Sequence, residues 1–351
     1  MYRAEVLCHS KPSEWDGPEL MTALVEYPRI VLAEVVTHRK VYDNFGECDT
    51  VTSDRTTTDD MSKNSASSRA IPLWKMIQKV WTDPYVPDRF SAAGKGMQGA
   101  GWLVDGSDAL ARRSWLAASD DAIAHALMMT TTADADDIFN WVPGLHRALY
   151  ARVRPAEQPS VGVHKQDVNR LLEPWAWVTQ VLTADQFGWN NFYGLRCDAA
   201  AHPAFQRVAR MLYLRHRESS PEPLRYGQWH LPFVDLADRK DFVWLPEVGA
   251  DLPDPIQFSA ARTGWVSYEN HDKDGTPDQM RNTFKRFLGG TPKHGSPVEH
   301  QATPVDERQP EAVPSLRSNL RGWVQARKLV RDERIDVYAP SADEIASWGL
   351  R

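Results

Sequence analysis

The chain has 351 residues, 42% of them hydrophobic and 25% charged, enough for a sizeable core in one large or two ordinary domains. A formal net charge of -6 argues against a general nucleic-acid binder, which would be basic, but leaves room for a small anionic ligand in a local basic pocket. Cys8, Cys48 and Cys197 are too few and too scattered for a disulfide or metal pattern, which fits a reducing cytoplasm.

In chain order, MYRAEVLCHS has no apolar leader core, and its AEVLCHS part alternates weakly as a strand does. LMTALVEYPRIVLAEVVTHR has the apolar density of a strand that turns at Tyr27-Pro28 into a helix ending near His38. Its run Ile30–Val36 is short and holds Glu34, so no segment is expected to span a membrane. Residues 40–61 carry Asp43, Glu47, Asp49, Asp54, Asp59 and Asp60 with little apolar periodicity, which reads as an acidic loop rather than a metal motif. After Pro72, Leu73, Met76, Ile77, Val80 and Trp81 share one helical face, and that helix should stop before Pro84. Gly94, Gly96 and Gly99 lack the Gly-Lys-Ser/Thr of a phosphate loop and read as a connector.

A long helix fits Asp108–Met129, and His164–Arg196 reads as two helices broken near Pro174. PAFQRVARMLYLRHRES is another helix, with Phe205, Val208, Met211 and Leu212 on its apolar side. After WHLPFV, the Pro- and Asp-rich residues 235–255 read as a linker between a core of 1–234 and a segment 256–351. A helix over PDQMRNTFKRFLGG, a turn at KHGSPVEHQ, a loop over Gln301–Pro314 and a last helix around SNLRGWVQARKLV complete the chain. The fourteen tryptophans call for a core whose edges accept their N–H groups.

The Ser-rich run MSKNSASSRAIP holds Ser62, Asn64, Ser65, Ser67 and Ser68 and closes on Arg69. It reads either as a polar loop or as an anion cradle with a guanidinium fork. Around it stand Thr37-His38-Arg39, Arg170 in NRLLEP, Asn191 and Arg196 in NNFYGLR, Ser267 in WVSY, and His294, Ser296 and Glu299 in KHGSPVEH. Arginines, hydroxyls and imidazoles without a Cys nucleophile or metal box suit a phosphate-bearing ligand and a polarised heterocycle.

These motifs resemble the flavin-dependent thymidylate synthases, whose signature is R-H-R-x-x-S-x-N-E-x-S-x-R-Y. Thr-His-Arg at 37–39 and SKNSASSRA at 62–70 match it around an insertion of 22 residues, Lys40 to Met61, where the family has two. VNRLLEP and NNFYGLR resemble two later family motifs, whereas AARTGWVSY and KHGSPVEH resemble segments that precede the signature in the family. The resemblance thus implies a circularly permuted order, similar to a branch common in bacteriophages. LRGWVQARK is similar to the family's lead-in helix a second time.

The resemblance implies an α+β fold with a central antiparallel sheet and flanking helices. It implies FAD as cofactor, NADPH and methylene-tetrahydrofolate as co-substrates, and a pyrimidine deoxynucleotide monophosphate as substrate. It further implies a homo-oligomer, tetramer or dimer, in the cytoplasm. His38, Arg39, Asn64, Asn191, Ser267, His294, Ser296 and Glu299 would hold the flavin. Ser67, Ser68, Arg69 and Arg170 would hold the nucleotide, with Arg196 drawing charge from the pyrimidine. Thr37, Ser65 and Ala70 depart from the family's Arg, Glu and Tyr, and Glu34 stands where the family has Gln. Those departures leave a 5-hydroxymethyl product on dUMP or dCMP, and a non-catalytic flavin- or nucleotide-binding protein, as alternatives. Taken alone, Arg170 reads equally as a helix ion pair and Arg196 as a helix C-terminal cation.

Overall fold

The computed structural model describes residues 1–36, 61–95, 99–154, 161–290, 293–306, 316, 318–332 and 339–349. The expected acidic loop, apart from Met61, and with it Cys48, His38 and Arg39, lies outside the described residues.

A five-stranded sheet organises the molecule in the order β3-β4-β2-β1-β5. Its strands are β1 (Arg3–Pro12), β2 (Leu20–Pro28), β3 (Ser62–Ser65), β4 (Trp177–Asp185) and β5 (Glu222–Leu224). The first four pair antiparallel, but β5 runs parallel to β1, so the sheet is mixed rather than antiparallel. Two helices after β4 run back and then forward, and the chain re-enters the sheet travelling in β1's direction.

The second helix expected within His164–Arg196 begins as β4, which pairs with β2 from Leu20↔Asp185 to Pro28↔Trp177. All nine residues of β4 are buried. A strand covered on both faces loses the polar–apolar alternation that marks a half-buried one. Val178, Thr179, Val181 and Thr183 supply the β-branched bias that separates it from a helix.

One face of the sheet carries Met21, Ala23, Val25, Tyr27, Val178, Leu182 and Ala184 against the helices. These are α1 (Leu32–Val36), α2 (Leu73–Thr82), α3 (Asp105–Met129), α4 (Thr132–Trp141), α5 (Arg147–Val153), α6 (Lys165–Val168), α7 (Gln186–Arg196) and α8 (Pro203–Glu218). In α2 the buried residues are Leu73, Met76, Ile77 and Val80, the expected stripe except for Trp81, which is half-buried, and the helix ends before Pro84. The indole N–H groups of Trp177 and Trp189 donate to the carbonyls of Asp83 and Met21, which satisfies them inside this core.

The other face is covered by the C-terminal third: α9 (Leu236–Arg239), α10 (Asp254–Trp265), α11 (Pro277–Leu288) and a hairpin of β6 (Ala302–Pro304) with β7 (Trp323–Gln325). A short α12 (Ala342–Ser347) follows. The helix expected around SNLRGWVQARKLV is instead β7 running into a 3-10 turn, Ala326–Leu329. Gly322 has φ +79°, which breaks any helix there, and Trp323 and Val324 then favour a strand. The residues expected as a linker fold back onto this layer: Trp244 N–H donates to Gly227 O, and Trp229 Nε1 donates to Trp244 O. Gly264 lets α11 approach α10, because a Cβ there would lie 2.2 Å from the Phe287 ring.

This second face sets a buried polar chain among apolar Leu20, Leu24 and Val181. Ser10 Oγ meets His230 Nδ1 at 2.9 Å, and His230 Nε2 meets Thr22 Oγ1 at 2.7 Å. Thr22 Oγ1 meets Thr183 Oγ1 at 2.6 Å, and Thr183 Oγ1 meets His300 Nδ1 at 2.8 Å. Every member of this chain is fully buried. Burial keeps both imidazoles neutral: His230 is held well below the usual histidine value, and His300 is pushed down to about 3.

Candidate functional site

The Ser-rich run divides into a strand and a turn, residues 68–70. Ser62–Ser65 form the edge strand β3, whose register with β4 puts Ser62 and Asn64 on the polar face and Lys63 and Ser65 on the helical face. The segments expected to complete the site from the chain's far end lie against it. Asn64 Nδ2 donates to Thr263 O of α10, and Ser296 Oγ donates to Asn64 Oδ1 at 3.4 Å. Ser67 N–H donates to Ser267 O at 3.0 Å, which places the WVSY turn directly on the strand's continuation. Residues 200 apart in sequence are thus brought into contact by α10 and by the 3-10 turn Ser296–Glu299.

Glu299 forms a short ion pair with Arg327, and its carbonyl accepts from Gln325 Nε2 at 2.9 Å. Gly295 makes room for that arginine, since a Cβ would sit 3.0 Å from Arg327 Nε. Arg327 was not among the residues expected to take part, although it lies in LRGWVQARK. Its position became visible only once β7 and the following turn were in place. His294 is exposed, and Ser267, Ser296 and Glu299 are half-buried.

The expected nucleotide ligands divide. Arg69 is exposed, two residues beyond Ser67 in the turn that follows β3. Ser68 is buried and points inward, its hydroxyl donating to Glu173 Oε1 at 2.6 Å. Glu173 also receives Arg29 Nε at 3.1 Å and stands 3.8 Å from exposed Arg170. Asn169, fully buried, donates from Nδ2 to the carbonyls of Ser68 and Ile71. The turn that presents Arg69 is therefore braced from below by Arg29, Glu173 and Asn169. Sequence reading missed all three because their partners are distant along the chain.

Arg196 closes α7, as its place at the C-terminal end favours. Its guanidinium donates to Glu34 O at 2.7 Å, lies 3.6 Å from the Glu34 carboxylate and sits over the Phe205 ring at 5.2 Å. Glu34, the unexpected carboxylate of the lead-in helix, is thereby offset by a cation. Asn191 is half-buried on the same helix. Arg196 and Asn191 sit at the far side of β4 from the Ser267 and Ser296 contacts, on the helical layer.

Ser296 meets β3 and Ser267 meets its continuation, and Glu299, paired with Arg327, lies on the same 3-10 turn as Ser296. Hydroxyls here and the exposed guanidinium of Arg69 are donors that could hold an anionic ligand. Neither the family models nor the curated proteins compared with the chain give a match. The class defined by the fold is a mixed α/β protein with a five-stranded mixed sheet covered on both faces. No helix among the described residues is long and apolar enough to cross a membrane.

Proposed function

We propose that this chain is a flavin-dependent enzyme that transfers a one-carbon unit from methylene-tetrahydrofolate to C5 of a pyrimidine deoxynucleotide, dUMP to dTMP. One observation carries the reading: WVSY and HGSPVE, separated from the Ser-rich run by some 200 residues, both contact it, through Ser67–Ser267 and Asn64–Ser296. The permuted motif order requires that meeting, and neither composition nor local propensity does.

In this reading FAD supplies the one-carbon relay and the reducing equivalents drawn from NADPH. Ser267, Ser296, His294 and Asn64 orient the cofactor, with Arg327 steadying Glu299 beside them. Arg69 binds the nucleotide phosphate from its braced turn. Arg196, on the opposite layer of the sheet from Ser267 and Ser296, stabilises charge developing on the pyrimidine in a site shared with another subunit, where its hold on Glu34 offsets that carboxylate. The family's sites draw on several subunits, so a homo-oligomer belongs to the proposal.

The test is the visible absorption spectrum of the purified protein, followed by a dUMP titration and mass analysis of the product. A yellow protein, or one that becomes yellow on adding FAD, whose spectrum shifts with dUMP and which yields dTMP supports the reading. A colourless protein that takes up no FAD overturns it. A 5-hydroxymethyl product replaces the methyl ending with the hydrolytic one.

A further inference from the structure

On the other side of the sheet, at the C-terminal end of β1, three side chains from three elements converge. His9 follows the register shift in β1, Glu19 precedes β2, and His216 lies in the last turn of α8. One ligand atom from each lies within 4.8 Å of the others. The His9 and His216 rings meet edge to face at 4.9 Å.

The hydrogen-bond directions fix the protons. Ser219 Oγ donates to His216 O at 2.7 Å, because a carbonyl can only accept. The serine's one proton is then spent, so its 2.8 Å contact with His9 Nδ1 must be donated by the imidazole. In a neutral ring this leaves the lone pair of Nε2 facing Glu19 Oε2 at 3.2 Å. Two acceptors in that contact repel unless a cation lies between them. On the other ring, Tyr193 Oη holds His216 Nδ1 at 3.1 Å, which leaves Nε2 to the same space. Both histidines thus have an oxygen on the nitrogen that faces away from the cluster. That is the outer-shell pattern that orients imidazole ligands and sets their tautomer.

We propose that His9, Glu19 and His216 form a site for a first-row divalent transition-metal ion such as Zn2+ or Fe2+. Two imidazoles and one carboxylate are a ligand set these ions take, and three protein ligands leave coordination positions for water or a small molecule. Those positions open toward solvent, since the Glu19 side chain is 39% exposed. A groove of about 710 Å³ begins at His9 and Ser219 and continues past Glu222 and Arg225. The site is three strand spacings from β3, roughly 14 Å across the sheet. It does not depend on flavin or nucleotide binding, and its failure would leave the proposed function untouched.

The experiment uses the full chain, stripped with chelator and then titrated with Co2+ and Zn2+. Co2+ is read by its d–d absorption and Zn2+ by calorimetry. The expected result is one equivalent bound with a nitrogen–oxygen ligand spectrum. Glu19→Gln, which keeps the shape of an exposed side chain, and His216→Gln each weaken binding at least tenfold. Ser219→Ala and Tyr193→Phe weaken it about 10–100-fold through the outer shell. His125→Ala, on the exposed side of α3, leaves it unchanged. Far-ultraviolet circular dichroism confirms that each variant is folded. No uptake at micromolar metal overturns the proposal. Uptake that is equally tight in Glu19→Gln and His216→Gln overturns it as well.

Discussion

The two faces of the sheet bury comparable lengths of the same strands and do so by different chemistry. On the helical face, Met21, Ala23, Val25, Leu182 and Ala184 meet Trp189, Phe192, Phe205 and Leu212, and the contact is almost wholly apolar. On the opposite face, Thr22, Thr183, Ser62 and Asn64 meet His230, His300, Ser296 and Gln325 through hydrogen bonds. Apolar burial is tolerant of its neighbours, whereas each buried polar atom needs a partner at a set distance and angle. The helical face therefore supplies most of the stability, and the polar face fixes where the C-terminal third docks. The group around Asn64, Ser67, Ser267 and Ser296 lies at the edge of the polar face, where that docking positions it.

Four measurements sharpen or break this contrast. Trp189→Ala empties the largest fully buried position on the helical face and removes a hydrogen bond to Met21 O. Urea denaturation should show a loss of about 3–5 kcal/mol. A loss below that of the polar-face variant would reverse the assignment of roles.

Thr183→Val keeps the shape of the side chain and deletes the hydroxyl that joins Thr22 to His300. The expected loss is about 1–3 kcal/mol, because partners are left unsatisfied in a dry layer.

The third is pH dependence. His230 and His300 are held neutral by burial, their folded values lying below the ordinary 6.5. The unfolded chain therefore takes up protons first as pH falls. Stability is fully present above pH 6.5 and declines below it, and for His300 the decline continues toward its folded value of about 3. Each such histidine contributes a slope of up to about 1.4 kcal/mol per pH unit. Denaturation midpoints between pH 7 and pH 5 read it before most carboxylates titrate, at roughly pH 4. His300→Gln should flatten the curve, and an unchanged slope would deny the neutral buried state.

The smallest expected effect on stability is that of Arg69→Ala, within about 0.5 kcal/mol for an exposed side chain. If the proposed function holds, the same variant weakens dUMP binding, which the spectral titration reads directly. Unaltered binding would remove Arg69 from the site.

Much of the helical layer was legible beforehand. The stripe of α2, its stop before Pro84 and the run of α8 are amphipathic or bounded by proline, and local periodicity records both. β4 does not read as a strand because it is buried on both faces, and β7 because its partner is the distant β6, as in Thr303↔Val324. Within the candidate site, the Ser, Asn and His residues could be picked out by type. The bracing of Arg69 by Arg29, Glu173 and Asn169 could not, nor could the pairing of Glu299 with Arg327 or the meeting of His9, Glu19 and His216.

The sequence by itself determined which segments carry apolar stripes, where prolines and glycines interrupt them, and which residue types could meet an anion. Those properties are local, written within a few turns of chain. Only the tertiary structure decided that Ser62–Ser65 of the Ser-rich run are an edge strand, that the distal WVSY and HGSPVE segments lie on the run, and that two histidines and a glutamate share one space. Such contacts join residues about 200 positions apart, and their geometry comes from strand register and layer packing, which no short window of sequence encodes.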